Sequence, residues 1–346
     1  MKPSMRTPVF VAVYAVLCAG QQPTERAIPA RTIPVPTTVS PEMQQLIAPA
    51  WSGSKSPVTL TSDQWKALQE QRDSDAAKAL QPVKQKFHVS VQEERIAGVR
   101  VYRVKPQAIA PENRNRILVH VHGGAYVFFG GEAAAAEAVY MANFGKIEVV
   151  SVDYRMPPDF PFPAALDDGL AVWKEVAKSR DTKRMGLFGT STGGGMTLAM
   201  VLKMKELKMP LPGAIMAGTP WSDMTKTGDT FYTNEFVDNI LGSNDGQLEA
   251  AARLYANGHD LKDPLLSPVY GNLSGFPPTI LLSGTRDLFL SNTVRVHQKL
   301  LKAGGVADLL VFEGESHAQY EFAPDAPETA DAWTEVSQFF NRHLAK

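Results

Sequence analysis

Short, continuous runs of apolar residues alternate with helical segments over most of this chain, and this alternation limits the folds open to it. Such runs are typical of strands buried on both faces, and their alternation with helices is typical of a mostly parallel sheet. The runs occupy residues 117–121, 147–152, 185–188, 214–217, 279–282 and 309–312. The helical segments occupy residues 164–177, 192–207, 293–302 and about 327–344. The sequence therefore predicts an α/β fold with helices on both faces of a mostly parallel sheet.

Three segments depart from this alternation. From Phe87 the apolar residues recur every second position to about Val104, which predicts a leading antiparallel hairpin. Residues 42–81 have helical spacing and predict one or two helices. Between residues 217 and 279 lie about sixty residues, although ordinary connections take only a few. We interpret residues 219–262 of this stretch as an inserted cap over the carboxyl edge of the sheet.

The N-terminus has the layout of a secretory signal peptide. Lys2 and Arg6 form a positive head, residues 8–17 are almost wholly apolar, and small residues follow at 18–20. An apolar run of about ten residues is too short to span a bilayer, which takes about 20. We therefore predict a signal peptide at 1–20 and an exported protein, periplasmic or secreted; a buried N-terminal helix is the alternative. Lipid attachment at Cys18 is disfavoured because a bulky Leu17 precedes it.

Residues 21–41 are rich in proline and predict an arm ahead of the main domain, which we place at 42–346. Apolar residues make up 44% of the chain and the net charge is −1, with no basic block, which argues against a nucleic-acid partner. Cys18 is the sole cysteine, so removal of residues 1–20 leaves no thiol for a disulfide, a nucleophile or a zinc site. No cluster of histidines and carboxylates has metal-ligand spacing, and we expect neither a metal nor a cofactor.

A glycine-flanked serine lies between an apolar run and an apolar helix. Residues 189–193 read Gly-Thr-Ser-Thr-Gly, which fits the pattern G-x-S-x-G in its strand-to-helix context. On such a turn Ser191 stands above the sheet edge as a nucleophile. The backbone N–H of Thr192 and the helix N-terminus then face the oxygen that becomes negative during acyl transfer. The alternative is a glycine-rich helix start that binds an anion without reacting.

A second glycine motif supports the reactive interpretation. The run at 117–121 leads directly into His122-Gly123-Gly124-Ala125, the form expected of the other half of an oxyanion hole. We expect backbone amides of Gly123 and Gly124, or of Ala125, to face one oxygen atom. His122 is expected to hold this loop by side-chain hydrogen bonds.

The remaining partners follow the order Ser, acid, His that this fold uses. Asp287 and His317 each come just after a predicted strand, so parallel strands would bring them to the same edge as Ser191. His317 is the candidate base, and Asp287 is the candidate that orients it. Glu313 and Glu315 are the competing candidates for the acid.

Together these motifs resemble the hormone-sensitive-lipase-like family of α/β-hydrolase serine esterases. Residues 122–125 match its His-Gly-Gly-Gly motif with Ala in the last place, and residues 189–194 resemble its nucleophile turn. Residues 153–165, Asp-Tyr-Arg-Met-Pro-Pro-Asp-Phe-Pro-Phe-Pro-Ala-Ala, are similar to another family segment, and so are residues 263–268. The stretch 289–291, Phe-Leu-Ser, departs from the Asp-rich family pattern and leaves the acyl pocket open.

The resemblance implies the α/β-hydrolase fold, with a helical cap built from residues 42–81 and 219–262. It also implies a carboxylic ester hydrolase acting on short- to medium-chain acyl esters. A lactonase, a deacetylase of sugars or antibiotics, and a non-catalytic binding protein on the same fold are the alternatives. The expected partner is a small ester, and whether the chain forms a homodimer is left open. Candidate pocket walls are the aromatic residues Tyr126, Phe128, Phe129, Trp221, Phe231, Phe236 and Phe289.

Overall fold

The computed structural model describes residues 26–345. Residues 26–34 belong to a first unit; they contain no helix or strand and are exposed. The remainder, from residue 35 onward, forms a second and much larger unit. The predicted signal peptide at 1–20, with Cys18, lies outside the described residues.

A single sheet of eight strands forms the centre of the larger unit. Its strands in chain order are β1 Ser90–Ile96, β2 Val99–Lys105, β3 Ile117–Val121, β4 Val149–Val152, β5 Met185–Thr190, β6 Ala214–Gly218, β7 Thr279–Gly284 and β8 Ala307–Phe312. Their order across the sheet is β1-β2-β4-β3-β5-β6-β7-β8. The pairs β1–β2 and β2–β4 are antiparallel, and all other neighbours are parallel. The carboxyl ends of β3, β5, β6, β7 and β8 therefore meet at one edge.

Helices precede the sheet, cover both of its faces and occur in the long insertion. They are α1 Pro41–Ile47, α2 Ser62–Phe87, α3 Ala136–Gly145, α4 Ala164–Val176, α5 Thr192–Glu206, α6 Thr230–Thr233, α7 Gln247–Ala256, α8 Leu290–Lys302 and α9 Pro327–His343. No described helix is both long enough and apolar enough to cross a membrane.

Two apolar layers hold the helices to the sheet. Because side chains of a strand alternate in direction, Val119 of β3 joins one layer and Leu118 joins the other. The first layer includes Trp173 of α4 and side chains of α5 and α8. The second includes Trp333 of α9 and side chains of α2 and α3. The mostly parallel sheet with helices on both faces, predicted from the apolar runs, is thereby confirmed.

Two local predictions need correction. The predicted first strand began at Phe87, but α2 continues to Phe87 and the strand begins at Ser90. Phe87 stays in the helix because its ring packs against Tyr140 and Phe144, with centroids 5.3 and 5.7 Å away. Helix α3 was not predicted. Seven of its ten residues are buried, so its sequence shows no polar face by which a helix is recognised.

The predicted hairpin is present as the antiparallel pair β1–β2, and residues 42–81 contain all but the first residue of α1 and most of α2. The insertion between β6 and β7 contains α6 and α7. Asn239 in the insertion donates through Nδ2 to the carbonyl of Leu46 at the end of α1, over 2.7 Å. The N-terminal helices and the insertion thus contact each other.

Candidate active site

Ser191 lies on the sharp turn between β5 and α5. Its backbone has φ 61° and ψ −122°, a conformation that residues other than glycine rarely adopt. The turn is fixed by a hydrogen bond from Ser191 N to the carbonyl of Gly218, 2.8 Å away. A Cβ at Gly189 or Gly193 would lie 2.1 Å from the carbonyl oxygen of Val121, so only glycine permits this close packing. The turn presents a half-buried serine hydroxyl at the carboxyl edge of the sheet.

Three side chains that are far apart in the sequence form one hydrogen-bonded chain at this edge. The Nε2 atom of His317 lies 2.9 Å from Ser191 Oγ. Its Nδ1 atom lies 3.1 Å from Asp287 Oδ1. The imidazole therefore bridges the hydroxyl and the carboxylate in the order that general-base catalysis needs.

The carboxylate of Asp287 is fully buried and accepts several hydrogen bonds. Oδ2 accepts from the hydroxyl of Thr219 and from Ser283 Oγ, the latter over 2.6 Å. Oδ1 accepts from the backbone N–H of Phe289 over 2.8 Å. These donors hold the carboxylate in one orientation facing the imidazole.

The charges of this cluster oppose the effect of burial. Burial alone would raise the pKa of Asp287, but hydrogen bonds and charge from His317, with the two hydroxyls, hold that pKa below its usual range. Burial would likewise lower the pKa of His317, yet Asp287, then Asp238 and Glu321, raise it above the ordinary value. The site thus stabilises an ion pair between imidazolium and carboxylate, the state that exists after His317 takes a proton.

The loop after β3 runs beside the serine. A Cβ added to Gly123 would lie 3.3 Å from Ser191 Cβ. Gly124, Ala125 and Tyr126 all have left-handed backbone, with φ of 102°, 57° and 60°. Within residues 26–345, the amides of Gly123, Gly124, Ala125 and Thr192 donate to no protein acceptor. Free backbone donors next to a nucleophile are what an oxyanion hole requires.

His122 supports this loop. Its Nδ1 atom lies 2.7 Å from the carbonyl oxygen of Gly123, and its ring stacks on Tyr154 with centroids 4.0 Å apart. Tyr154 in turn donates its hydroxyl to the carbonyl of His122 over 2.7 Å. Burial lowers the pKa of His122 to about 3, so the ring is neutral at pH 7.

The competing acids do not contact His317. Glu313 is exposed, and Glu315 is buried with neither carboxyl oxygen hydrogen-bonded to any residue in 26–345. Burial raises the pKa of Glu315 to about 8, with Glu328 and Asp287 adding to the effect. A carboxyl group that stays protonated at pH 7 is a poor partner for an imidazolium ion.

The candidate pocket aromatics are distributed unevenly around the site. Phe289 meets the ring of His317 edge-on at 4.9 Å. Trp221 stacks on Phe289 at 5.5 Å, and Phe231 meets Phe289 edge-on at 5.7 Å. Three candidates contact other elements instead: Tyr126 stacks on Tyr255, Phe128 packs on Trp65, and Phe236 packs on Trp51. Phe129, the remaining candidate, donates its backbone N–H to Asp73.

Three polar residues at the site were not singled out from the sequence. Thr219 follows β6 directly, so its place at the end of a strand was a usable signal. Ser283 lies within β7, four residues before Asp287. Asp238 is fully buried in the insertion and accepts from the backbone N–H of Leu288 over 2.8 Å. No sequence pattern indicates that contact.

Among residues 26–345, no group of three or more His, Cys, Asp or Glu side chains is arranged to hold a metal ion. The electrostatic groups that are present at the site are the amides, the imidazole and the buried carboxylates. Such an arrangement can activate a serine hydroxyl and stabilise an oxyanion.

Comparisons with known proteins identify the fold and the relatives of this chain. The sequence profile of a family described as having the alpha/beta hydrolase fold matches residues 118–321. An acetyl-hydrolase of Streptomyces hygroscopicus is 28% identical over 214 residues, which cover 62% of this chain and 71% of that protein. An esterase of Acinetobacter venetianus is 26% identical over 254 residues, which cover 72% of this chain and 82% of that protein.

Solved structures show the same relationship. The crystal structure of an esterase named E25 is 44% identical, has a TM-score of 0.90, and covers 93% of this chain and 99% of its own. An esterase from the bacterial hormone-sensitive lipase family is 26% identical, has a TM-score of 0.76, and covers 88% of this chain and 99% of its own. The chain therefore belongs to the alpha/beta hydrolase fold family and, within it, to the hormone-sensitive-lipase-like esterases.

Proposed function

We propose that this carboxylic ester hydrolase uses Ser191 as nucleophile, His317 as general base and acid, and Asp287 as the group that orients His317. The observation that carries the proposal is the continuous chain of contacts, 2.9 Å from serine to imidazole and 3.1 Å from imidazole to carboxylate. The residues come from three separate loops, and the parallel strands β5, β7 and β8 bring those loops to one edge.

Acylation begins when Ser191 Oγ attacks the carbonyl carbon of the ester and its proton passes to His317 Nε2. The carbonyl oxygen becomes an oxyanion, and the imidazolium is stabilised by Asp287. Collapse of this intermediate expels the alcohol, which takes the proton from His317. An acyl group then remains on Ser191.

Deacylation repeats the sequence with water in place of the alcohol. His317 removes a proton from the water as the oxygen attacks the acyl carbon, and then returns it to Ser191 Oγ. The acid product leaves and the free serine is restored.

The oxyanion is held by backbone amides. Gly123 or Gly124, with Ala125 as a further donor, supplies one side, and Thr192 at the start of α5 supplies the other. Each such donor contributes roughly 2.7–4 kcal/mol in the transition state of comparable enzymes. Because the helix N-terminus points at the same place, its partial positive charge adds to the effect.

Short acyl groups are the substrates we favour. Phe289 packs edge-on against His317, Trp221 stacks on Phe289, and both are almost completely buried, so together they form a closed apolar wall beside the imidazole. The similarity to an acetyl-hydrolase points the same way. Simple short-chain esters are therefore the first candidate substrates. Acetyl esters of larger alcohols, such as decorated sugars, are the second. Aryl esters of rising acyl length, with lactones and acetylated sugars beside them, test the preference.

Ser191→Ala tests the mechanism. We expect a folded protein whose turnover of an aryl ester is lower by on the order of 10⁶-fold, as in other serine hydrolases that lose their nucleophile. Ser179→Ala, at an exposed serine outside the site, is the matched control and should keep full activity. A serine-directed organophosphate should label the wild type once, at Ser191. Full turnover by folded Ser191→Ala would reject the mechanism.

We further propose that residues 1–20 are removed during export, and that residues 42–81 and 219–262 form the cap. The first proposal is supported by the charge and hydropathy of the N-terminus, and the second by the contact between Asn239 and Leu46. Sequencing the N-terminus of protein recovered from the periplasm or the medium of an expressing bacterium tests export. An N-terminus at Met1 in exported protein would contradict it.

A further inference from the structure

Helix α2 contacts the loop of residues 122–129, the oxyanion loop, through one stripe of side chains. Trp65, Gln69 and Asp73 are four residues apart, so they lie above one another on the same face of the helix. The loop segment that they meet, residues 127–129, directly follows the left-handed residues beside Ser191. Fifty-six residues separate Asp73 from Phe129, so the contact is made by the fold and not by the local chain.

The contacts in this stripe are specific hydrogen bonds to backbone. Gln69 Nε2 donates to the carbonyl of Val127 over 2.7 Å and to the carbonyl of Pro157 over 2.6 Å. Asp73 Oδ1 accepts from the N–H of Phe129 over 2.6 Å. Above them, Trp65 packs on the ring of Phe128 with centroids 6.2 Å apart.

The loop needs external support because its backbone is strained. Phe129 has φ 73°, and Ala125 and Tyr126 have φ of 57° and 60°, values that cost energy for any residue with a Cβ. Such conformations persist only where surrounding contacts determine them. Within the loop, the N–H groups of Val127 and Phe128 both donate to the carbonyl of Gly124, 2.9 and 2.8 Å away. These bonds close the turn, but they do not fix where the turn lies relative to Ser191.

We propose that Gln69 and Asp73 are positioning residues that hold the oxyanion loop in register with Ser191. This inference rests on the proposed serine mechanism and adds two residues that touch neither substrate nor nucleophile. Gln69 fixes the loop by donating a hydrogen bond to the carbonyl of Val127, and Asp73 fixes it by accepting a hydrogen bond from the amide of Phe129. The amides of Gly123 and Gly124 are thereby kept aimed at the oxyanion.

Paired substitutions separate the hydrogen bonds from mere packing. Asp73→Ala removes the acceptor, whereas Asp73→Asn keeps an oxygen that can accept from Phe129. Gln69→Glu keeps the size of the side chain but replaces its donor with an acceptor that faces two carbonyls. Gln71→Glu and Asp75→Ala make the same chemical changes at exposed positions of α2 and are the matched controls.

Two readouts report on the oxyanion hole in particular. One is the division of the effect between kcat and KM for an aryl acetate. The other is the inhibition constant of an alkyl trifluoromethyl ketone, to whose carbonyl carbon Ser191 Oγ adds. The serine proton passes to His317, and the carbonyl electron pair becomes an oxyanion in the same hole.

For Asp73→Ala and Gln69→Glu we expect kcat to fall about 10- to 100-fold, since small misplacements of catalytic groups have effects of this size. KM should stay within about twofold, and the ketone should lose affinity by a factor similar to that for kcat. Asp73→Asn should recover most of the activity, and both controls should match wild type. Turnover is divided by the concentration of sites titrated with an organophosphate, so that unfolded protein does not count.

A normal kcat per titrated site in Asp73→Ala and Gln69→Glu would overturn the inference, and so would a rise in KM alone. Equal losses in Asp73→Asn and Asp73→Ala would also overturn it for Asp73. The proposed serine mechanism fails on a separate result, activity in folded Ser191→Ala, so the two failures are distinguishable.

Discussion

The two halves of this active site are built from different materials. The half that we propose to transfer protons consists of side chains, His317 and Asp287, whose polar atoms are hydrogen-bonded to one another and to neighbouring hydroxyls. The half that we propose to face the oxyanion consists of backbone, with Gly124 and Ala125 in left-handed conformations. The first half is stabilised by contacts within the site. The second depends on packing from elsewhere, including helix α2.

This difference implies different sensitivities to mutation. A side chain in the proton-transfer half can be exchanged without disturbing the backbone, so its chemistry is tested directly. In the oxyanion half the donors are backbone amides, which every substitution except one to proline leaves in place, so a substitution acts mainly through their position.

After the nucleophile itself, the largest effect on kcat is expected at the carboxylate of Asp287. Asp287→Asn should lower kcat by about 10⁴-fold, because an amide can hold His317 in the wrong tautomer while leaving the fold unchanged. Measurement of kcat on one aryl ester, with circular dichroism to confirm the fold, tests this. Near wild-type turnover in Asp287→Asn would show that another acid orients the imidazole.

The oxyanion half is tested by Gly124→Ala. A Cβ at this residue would lie 2.3 Å from the carbonyl oxygen of Phe128, at a φ of +102°, so the loop must shift. We expect kcat to fall by about 10²- to 10³-fold, comparable to the loss of one oxyanion donor. Gly98→Ala is the control, since Gly98 also has positive φ but has no atom within 4 Å of an added Cβ. Gly98→Ala should lower the free energy of unfolding by about 1–2 kcal/mol and leave kcat unchanged.

A smaller loss is expected at Thr219, which supports the proton-transfer half without touching Ser191. Thr219→Val removes the hydroxyl that donates to Asp287 Oδ2 and preserves the shape of the side chain. A hydrogen bond to a charged group contributes about 1.5–3 kcal/mol, so kcat should fall about tenfold or somewhat more. The kcat of the variant, measured per titrated site, should be compared with that of Ser222→Ala, whose hydroxyl donates elsewhere, to Asn292. Equal effects in the two variants would mean that the hydroxyl of Thr219 has no particular role.

The sequence predicted which side chains meet in the proposed proton-transfer half far better than it predicted the supports of the proposed oxyanion half. Ser191, Asp287 and His317 each follow a recognisable strand, and parallel strands bring such positions to one edge. The glycine motif at 122–125 was equally visible. The contact between Asp73 and Phe129 was not, because it joins a helix and a loop that are fifty-six residues apart. Helix α3 was not predicted for a related reason. Because most of its residues are buried, its sequence lacks the alternation of polar and apolar faces that marks a helix.

A shift in pH dependence, with little change in the maximal rate, is expected at Asp238. His317 must be neutral to accept a proton, so kcat/KM should rise with pH through the pKa of His317, which lies above the ordinary value. Asp238 contributes to that increase with its negative charge, alongside Asp287. Burial raises the pKa of Asp238 itself to about 6, so it is charged where His317 titrates.

Asp238→Asn should therefore move the inflection of kcat/KM to lower pH while the plateau at high pH stays near wild type. Asp229→Asn, at an exposed carboxylate in the same insertion, is the control and should leave the inflection in place. An inflection that does not move, or moves upward, would contradict the electrostatic role of Asp238.

At Glu315 the effect of a substitution on stability is more informative than its effect on turnover. Because burial raises the pKa of Glu315 to about 8, the folded protein holds a proton there that the unfolded chain loses near its usual value of 4.5. The stability from this site is complete below the unfolded pKa, and it is lost as the pH rises through about 8. Glu315→Gln carries no ionisable group, so its Tm should exceed that of wild type at about pH 9 by more than at about pH 6. Glu313→Gln, on the exposed side of the same loop, should show no such dependence.

The kcat of Glu315→Gln should stay within about tenfold of wild type, since a protonated carboxyl group contributes no charge to His317. If Glu315→Gln lost most of its turnover while Asp287→Asn stayed active, Glu315 would be the acid that orients His317. The proposed roles of Ser191 and of the oxyanion loop would be unaffected by that result.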